Sequence, residues 1–122
     1  MKTISPSALA ERLGTDDEPF VLDIRPEREH RRNAIDGSDN LPVYGDIQRG
    51  NDESLLDHLD AIPTNAEVIV VCKMGIVAKR AAKLLDGEGY DATVLLGGMS
   101  GWTGYRNGSI GYKLRSLLWK FR

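Results

Sequence analysis

The sequence predicts an α/β fold, a small parallel β-sheet flanked by helices on both faces. Three observations carry that expectation. "EVIVVC" (67–72) is a continuous apolar run rich in β-branched residues, the pattern of a strand covered on both sides. Directly after it, Val77, Ala78, Ala81, Ala82 and Leu85 recur at helical spacing. "FVLDI" (20–24) and "DATVLLGG" (91–98) are two more strand-like runs, and strands that alternate with helices pair in parallel.

The elements follow in order. In "ISPSALAERLG", Ser5 is an N-cap, Pro6 fits the first helical position, and Gly14 is the stop. Ala8, Leu9 and Leu13 lie along one stripe of that helix. "FVLDI" is a strand, apolar except for Asp23, and "PEREHRRN" (26–33) is a short exposed helix. "AIDGSDNLPVYG" (34–45) is rich in turn formers, with a brief extended segment around Asn40 and Leu41. "DESLLDHLDAIP" reads as one helix, capped by Asp52, apolar at Leu55, Leu56 and Leu59, and stopped by Pro63. The strand 67–72 and the helix from Gly75 to Leu85 come next, with Gly87 and Gly89 ending that helix. "DATVLLGG" is the last strand, followed by a glycine-rich turn and "MSGW".

A chain of 122 residues is one domain, long enough to bury roughly two-thirds of its unfolded surface. With 41% apolar and 28% charged residues it has the composition of a soluble globular protein. "MKTISPSALAERLG" lacks the apolar core of a signal peptide, and no apolar run reaches membrane-spanning length. One cysteine excludes an internal disulfide, and a free thiol suits a reducing cytoplasm. The net charge of −2 hides an asymmetry, because "GYKLRSLLWKFR" (111–122) carries +4 and leaves −6 on the rest. An acidic body argues against nucleic-acid binding.

Cys72 closes a strand and stands before a helix. Free cysteines often fill cores, and that reading is open from position alone. The local chemistry gives a second reading. Ligands in open parallel sheets bind outside the carboxyl ends of the strands, where the next helix presents unpaired N–H groups. A thiolate is stabilised there. Gly75 lets the loop curl so that several N–H groups converge on one sulfur, and Lys73 adds a positive charge. Neither His30 nor His58 is near Cys72 in sequence, and no His/Cys/Asp cluster has metal-ligand spacing, so neither metal nor cofactor is expected.

Four motifs in order carry a resemblance. Asp23 and Arg25 form an Asp-x-Arg strand end; Ile35, Gly37, Leu41 and Pro42 form a turn. "CKMGIV" is a six-residue cysteine loop; Gly97, Gly98 and Trp102 form a Gly-Gly-(x)3-Trp ending. Together they resemble the single-domain rhodaneses, a sulfurtransferase family, over residues 3–104, leaving 105–122 as a basic C-terminal extension. The resemblance implies a rhodanese-like fold and a sulfurtransferase that stores sulfane sulfur as a Cys72 persulfide. Lys73, Met74, Gly75, Ile76 and Val77 would bind substrate, with Asp23 and Arg25 in support. The donor would be thiosulfate or a small persulfide, and the acceptor a thiol or cyanide. A carrier or redox and protein-interaction module of the same fold is the alternative.

Two departures stand out. Asn33 and Ala34 replace a frequent Gly-His, and Val77 replaces an arginine frequent at the sixth loop position. Phosphatases with a Cys-(x)5-Arg loop are related, but the arginine position is Ala78, which cannot clamp a phosphoryl group. Asp23 is expected to cap neighbouring N–H groups with Arg25 as its ion pair, Trp102 to anchor the core, and His30 to be a half-buried packed ring. In the tail, Leu114, Leu117, Leu118 and Phe121 share one face of an amphipathic basic helix. It would dock on its own domain, a dimer mate, a membrane surface or a protein partner.

Overall fold

The β-branched run becomes the middle strand of a five-stranded parallel sheet in the computed structural model, which describes residues 1–108. The strands are β1 (Lys2–Ile4), β2 (Phe20–Asp23), β3 (Asp39–Asn40), β4 (Glu67–Val71) and β5 (Asp91–Leu95). Their order across the sheet is β1-β5-β4-β2-β3, and every pairing is parallel. The helices are α1 (Pro6–Arg12), α2 (Glu27–Arg32), α3 (Tyr44–Gln48), α4 (Glu53–Leu56), α5 (Ile76–Gly87) and α6 (Gly98–Arg106), with a 3-10 turn at Leu59–Ala61.

Alternation along β4 divides the core. Val68, Val70 and Cys72 face the layer that holds Ile47, Leu55, Ala78, Ala81, Ala82 and Leu85, so α3, α4 and α5 cover that side. Ile69 and Val71 face Leu9, Met99 and Trp102, so α1 and α6 cover the other. Every β4 residue from Val68 to Val71 has no exposed surface, which is why its sequence lacks polar alternation.

The sheet has its switch point between β2 and β4. The chain leaves β2 towards β3 and leaves β4 the other way, towards β5. The loops that follow these two strands diverge and leave a crevice at their carboxyl ends. Cys72 stands there, one residue past β4.

Several expectations hold. Ser5 Oγ accepts from Ala8 N–H at 3.2 Å, Pro6 begins α1, and Trp102 is buried. Others need correction. The single helix expected over 52–62 is α4 plus the 3-10 turn, and Asp52 does not cap it. Its carboxylate instead takes Arg80 Nε and Nη2, both at 2.8 Å. The glycine-rich turn expected after β5 leads directly into α6, which spans Gly98–Arg106. The short β1 and α3 had no counterpart in the sequence reading. The tail 111–122 lies outside the described residues. Among those described, no helix is long and apolar enough to cross a membrane.

Candidate active site

Cys72 extends the alternation of β4, so its side chain lies on the α5 side of the sheet, and 1% of the residue is exposed. Gly75 is the residue before α5 and has φ +91°, a left-handed conformation that only glycine adopts without strain. That curl folds the loop back on the sulfur. Gly75 N–H points at Sγ across 3.1 Å and Ala78 N–H across 3.4 Å. The N–H groups of Ile76 and Val77, in the first turn of α5, make no hydrogen bond among the described residues. A sulfur anion at this spot meets unpaired donors and the positive end of a helix.

The outer wall of the loop comes from α6. Met99 N–H donates to the Cys72 carbonyl at 2.8 Å, and Ser100 N–H to the Lys73 carbonyl at 3.0 Å. This approach is possible because Gly98 has no side chain. A Cβ there would lie 2.3 Å from the Cys72 oxygen and 2.7 Å from the Lys73 carbonyl atoms. The Gly-Gly-(x)3-Trp ending thus clamps the cysteine loop, while its Trp102 packs in the core.

The expected loop residues divide by role. Gly75 is where it was expected, against the sulfur. Met74 and Ile76 stand at the rim, 56% and 74% exposed, and open to solvent. Val77, at the frequent arginine position, turns inward and packs against the α5-side core. Lys73 is half-exposed and its Nζ lies 3.4 Å from Glu29 Oε2 on α2. Its charge is therefore shared with a carboxylate. Ala78, the residue after the expected 73–77 loop, supplies the second donor to the sulfur.

Asp23 and Arg25 form a buried pair, with Arg25 Nη2 at 2.7 Å and Nε at 3.0 Å from the carboxylate. Arg25 N–H also donates to Asp23 Oδ1 at 3.0 Å, and Nη2 to the Asn33 carbonyl at 2.6 Å. Asn40 Nδ2 ties the Asp23 and Arg25 carbonyls at 2.9 Å each. The pair binds the turn after β2 to its neighbours, and among the described residues it makes no hydrogen bond to the cysteine loop. Removing one partner would strand a buried charge at a cost of about 3–5 kcal/mol. His30 is half-buried, its Nε2 3.0 Å from Ser38 Oγ.

The rhodanese-like domain family model matches residues 5–105. The chain belongs to that family. This rhodanese-like domain is 26% identical over 104 residues to the Bacillus subtilis protein named "Putative sulfurtransferase YtwF", covering 85% of this chain and 92% of that one. It is 24% identical to "Putative sulfur carrier protein YrkF" of the same organism, over 83% of this chain and 50% of that protein, so it spans half of YrkF. A rhodanese-related protein from Thermoplasma volcanium shares the fold, with TM-score 0.72 and 21% identity, over 86% of this chain and 93% of that one.

A recess of about 780 Å³ opens elsewhere on the rhodanese-like domain, between Leu13, Glu18, Asp36, Trp102 and Arg106. Cys72 is not among its lining residues, so the recess is separate from the cysteine loop.

The contacts that the sequence did not reveal are those of Ala78 with the sulfur, of Gly98, Met99 and Ser100 with the loop backbone, and of Glu29 with Lys73. The paired glycines at 97 and 98 were the available signal for the clamp. Glu29 carried none, because its contact joins α2 to a loop far away in the chain.

Proposed function

We propose that this rhodanese-like domain is a cytoplasmic sulfurtransferase that carries sulfane sulfur as a persulfide on Cys72. The observation that supports it most directly is the pair of N–H groups, from Gly75 and Ala78, aimed at the Cys72 sulfur. The thiolate attacks the outer sulfur of a donor such as thiosulfate or a persulfide. A Cys72 S–S bond forms, the donor's S–S bond breaks, and sulfite or a thiolate leaves with the electron pair. The terminal sulfur of the Cys72 persulfide then lies over the first turn of α5, where the Ile76 and Val77 N–H groups are available to it. A thiol, or cyanide in an assay, attacks that sulfur and restores the thiolate. Such a two-step covalent cycle gives ping-pong kinetics.

A second reading is a carrier that loads sulfur and releases it to a dedicated protein without rapid turnover. The recessed Cys72 and the Lys73–Glu29 pair favour it, because the loop offers a small anion little free charge. The name of YrkF agrees with it.

One experiment separates the readings. The protein is incubated with thiosulfate, intact mass is followed for one added sulfur, and thiocyanate is measured after cyanide. Sulfur uptake with turnover is the expected outcome for the enzyme, and uptake without turnover for the carrier. No uptake, with wild type matching Cys72→Ser, would sink both.

A further inference from the structure

We propose that the physiological sulfur donor is a polypeptide, an acidic segment that presents a cysteine persulfide beside an apolar side chain. This rests on the Cys72 persulfide reading and narrows its substrate.

The rim of the site is the first reason. Met1, Met74 and Ile76 are the exposed large apolar side chains among the described residues, and two of the three bracket Gly75 in the cysteine loop. Covering apolar surface is worth about 25 cal/mol per Å², a gain open to a polypeptide and not to an inorganic dianion. The second reason is the charge at the mouth. Lys73 is paired with Glu29, and Val77, at the frequent arginine position, brings no charge and packs against the core. Thiosulfate would lose hydration there with the loop's backbone N–H groups and helix end to meet it but no unpaired loop cation to balance its second charge.

The outward face of α5 supplies the third. Lys79 and Lys83 follow Ile76 at i+3 and i+7, both are exposed, and neither has an ion pair among the described residues. Arg80 beside them is occupied by Asp52. An unpaired basic stripe therefore begins one turn from the mouth, and its far end at Lys83 lies about 10 Å along the helix from Ile76, at 1.5 Å per residue. That is the length of about three extended residues, so a peptide spans both mouth and stripe while a small thiol persulfide reaches only the mouth.

In the transfer, the Cys72 thiolate attacks the outer sulfur of the partner's Cys–S–SH group. The partner's S–S bond breaks, its cysteine leaves as a thiolate with the electron pair, and Cys72 becomes the persulfide. Sulfane sulfur changes owner, and no external oxidant or reductant enters.

The test uses two synthetic peptides of equal length. Each carries a persulfidated cysteine next to leucine, flanked by glutamates in one and by lysines in the other. Thiosulfate is the third donor. Loading of Cys72 is followed by intact mass at low and high salt, in the full chain and in Lys79→Glu/Lys83→Glu. The acidic peptide should load at least about tenfold faster than the basic one at low salt. The gap should close at high salt. The double variant should reverse the order and leave the thiosulfate rate unchanged. Equal rates for the two peptides, an unchanged order in the variant, or a thiosulfate rate that shifts in step with the peptides would overturn the proposal alone. No loading from any donor would overturn the persulfide reading and this one with it.

Discussion

At Gly98 a missing side chain lets two segments of backbone touch. The Cys72 and Lys73 carbonyls are held by Met99 and Ser100 N–H groups only because nothing projects from residue 98. An added methyl would meet backbone, which cannot swing aside as a flexible side chain can. Gly98→Ala should therefore shift the cysteine loop while most of the fold persists. A displacement of about 1 Å at a reacting centre costs on the order of 100-fold in rate. Sulfur loading of Cys72 by intact mass, beside far-UV circular dichroism, checks this; wild-type loading in Gly98→Ala would show that the clamp is dispensable. Cys72 and Gly75 were legible in the sequence because strand end, loop glycine and helix start adjoin. The partnership of Gly98 with the loop and of Glu29 with Lys73 was not, since local spacing carries no record of contacts between distant segments.

Among the elements, the strongly patterned ones were the legible ones. β4 and α5 are specified by unbroken burial and by helical spacing. The segment 52–62 misled for a physical reason. His58 Nδ1 lies 2.8 Å from the Ser54 carbonyl, which an α-helix would give to the His58 N–H, and that N–H bonds the Leu55 carbonyl instead. Tyr90 Oη donates to the Leu59 carbonyl at 2.9 Å, and that carbonyl also accepts the Ile62 N–H at 3.0 Å, the i+3 bond of a 3-10 turn. α6 hid behind Gly98, Gly101 and Gly104, poor helix formers, of which Gly98 and Gly101 stand close against other backbone. A Cβ on Gly101 would lie 2.8 Å from the Leu96 oxygen. The start of β4 carries a prediction of its own. Burial pushes the Glu67 carboxyl up, but hydrogen bonds from Thr93 (2.5 Å) and Arg12 (2.7 Å), with the charges of Arg12 and Lys2, outweigh it and hold it below the usual carboxylate range. A depressed acid stabilises the fold above its unfolded pKa, and that contribution is lost as pH falls through the folded value. Glu67→Gln should cost on the order of 1–2 kcal/mol at neutral pH. Urea titrations should find the deficit shrinking as pH drops below the carboxylate range; a deficit constant with pH would refute the linkage.

Across the whole molecule, stability and chemistry sit at opposite ends of the sheet. Lys2, Glu67 and Asp91 begin β1, β4 and β5 and form an ion cluster with Arg12, whereas Cys72 follows the far end of β4. Protection should be graded across the sheet. β4 pairs on both sides and is covered on both faces, while β1 is a three-residue edge with Lys2 and Thr3 exposed. Native-state hydrogen exchange should find β4 amides slowest and β1 amides much faster, and equal protection would contradict this gradient. The α6 clamp has a last consequence, for engineering. Because backbone from another helix fixes the path of the cysteine loop, the outward side chains at 73, 74 and 76 can be rewritten as a set without moving the sulfur. A library confined to those three positions would vary the rim while every member keeps the Cys72 sulfur in one place.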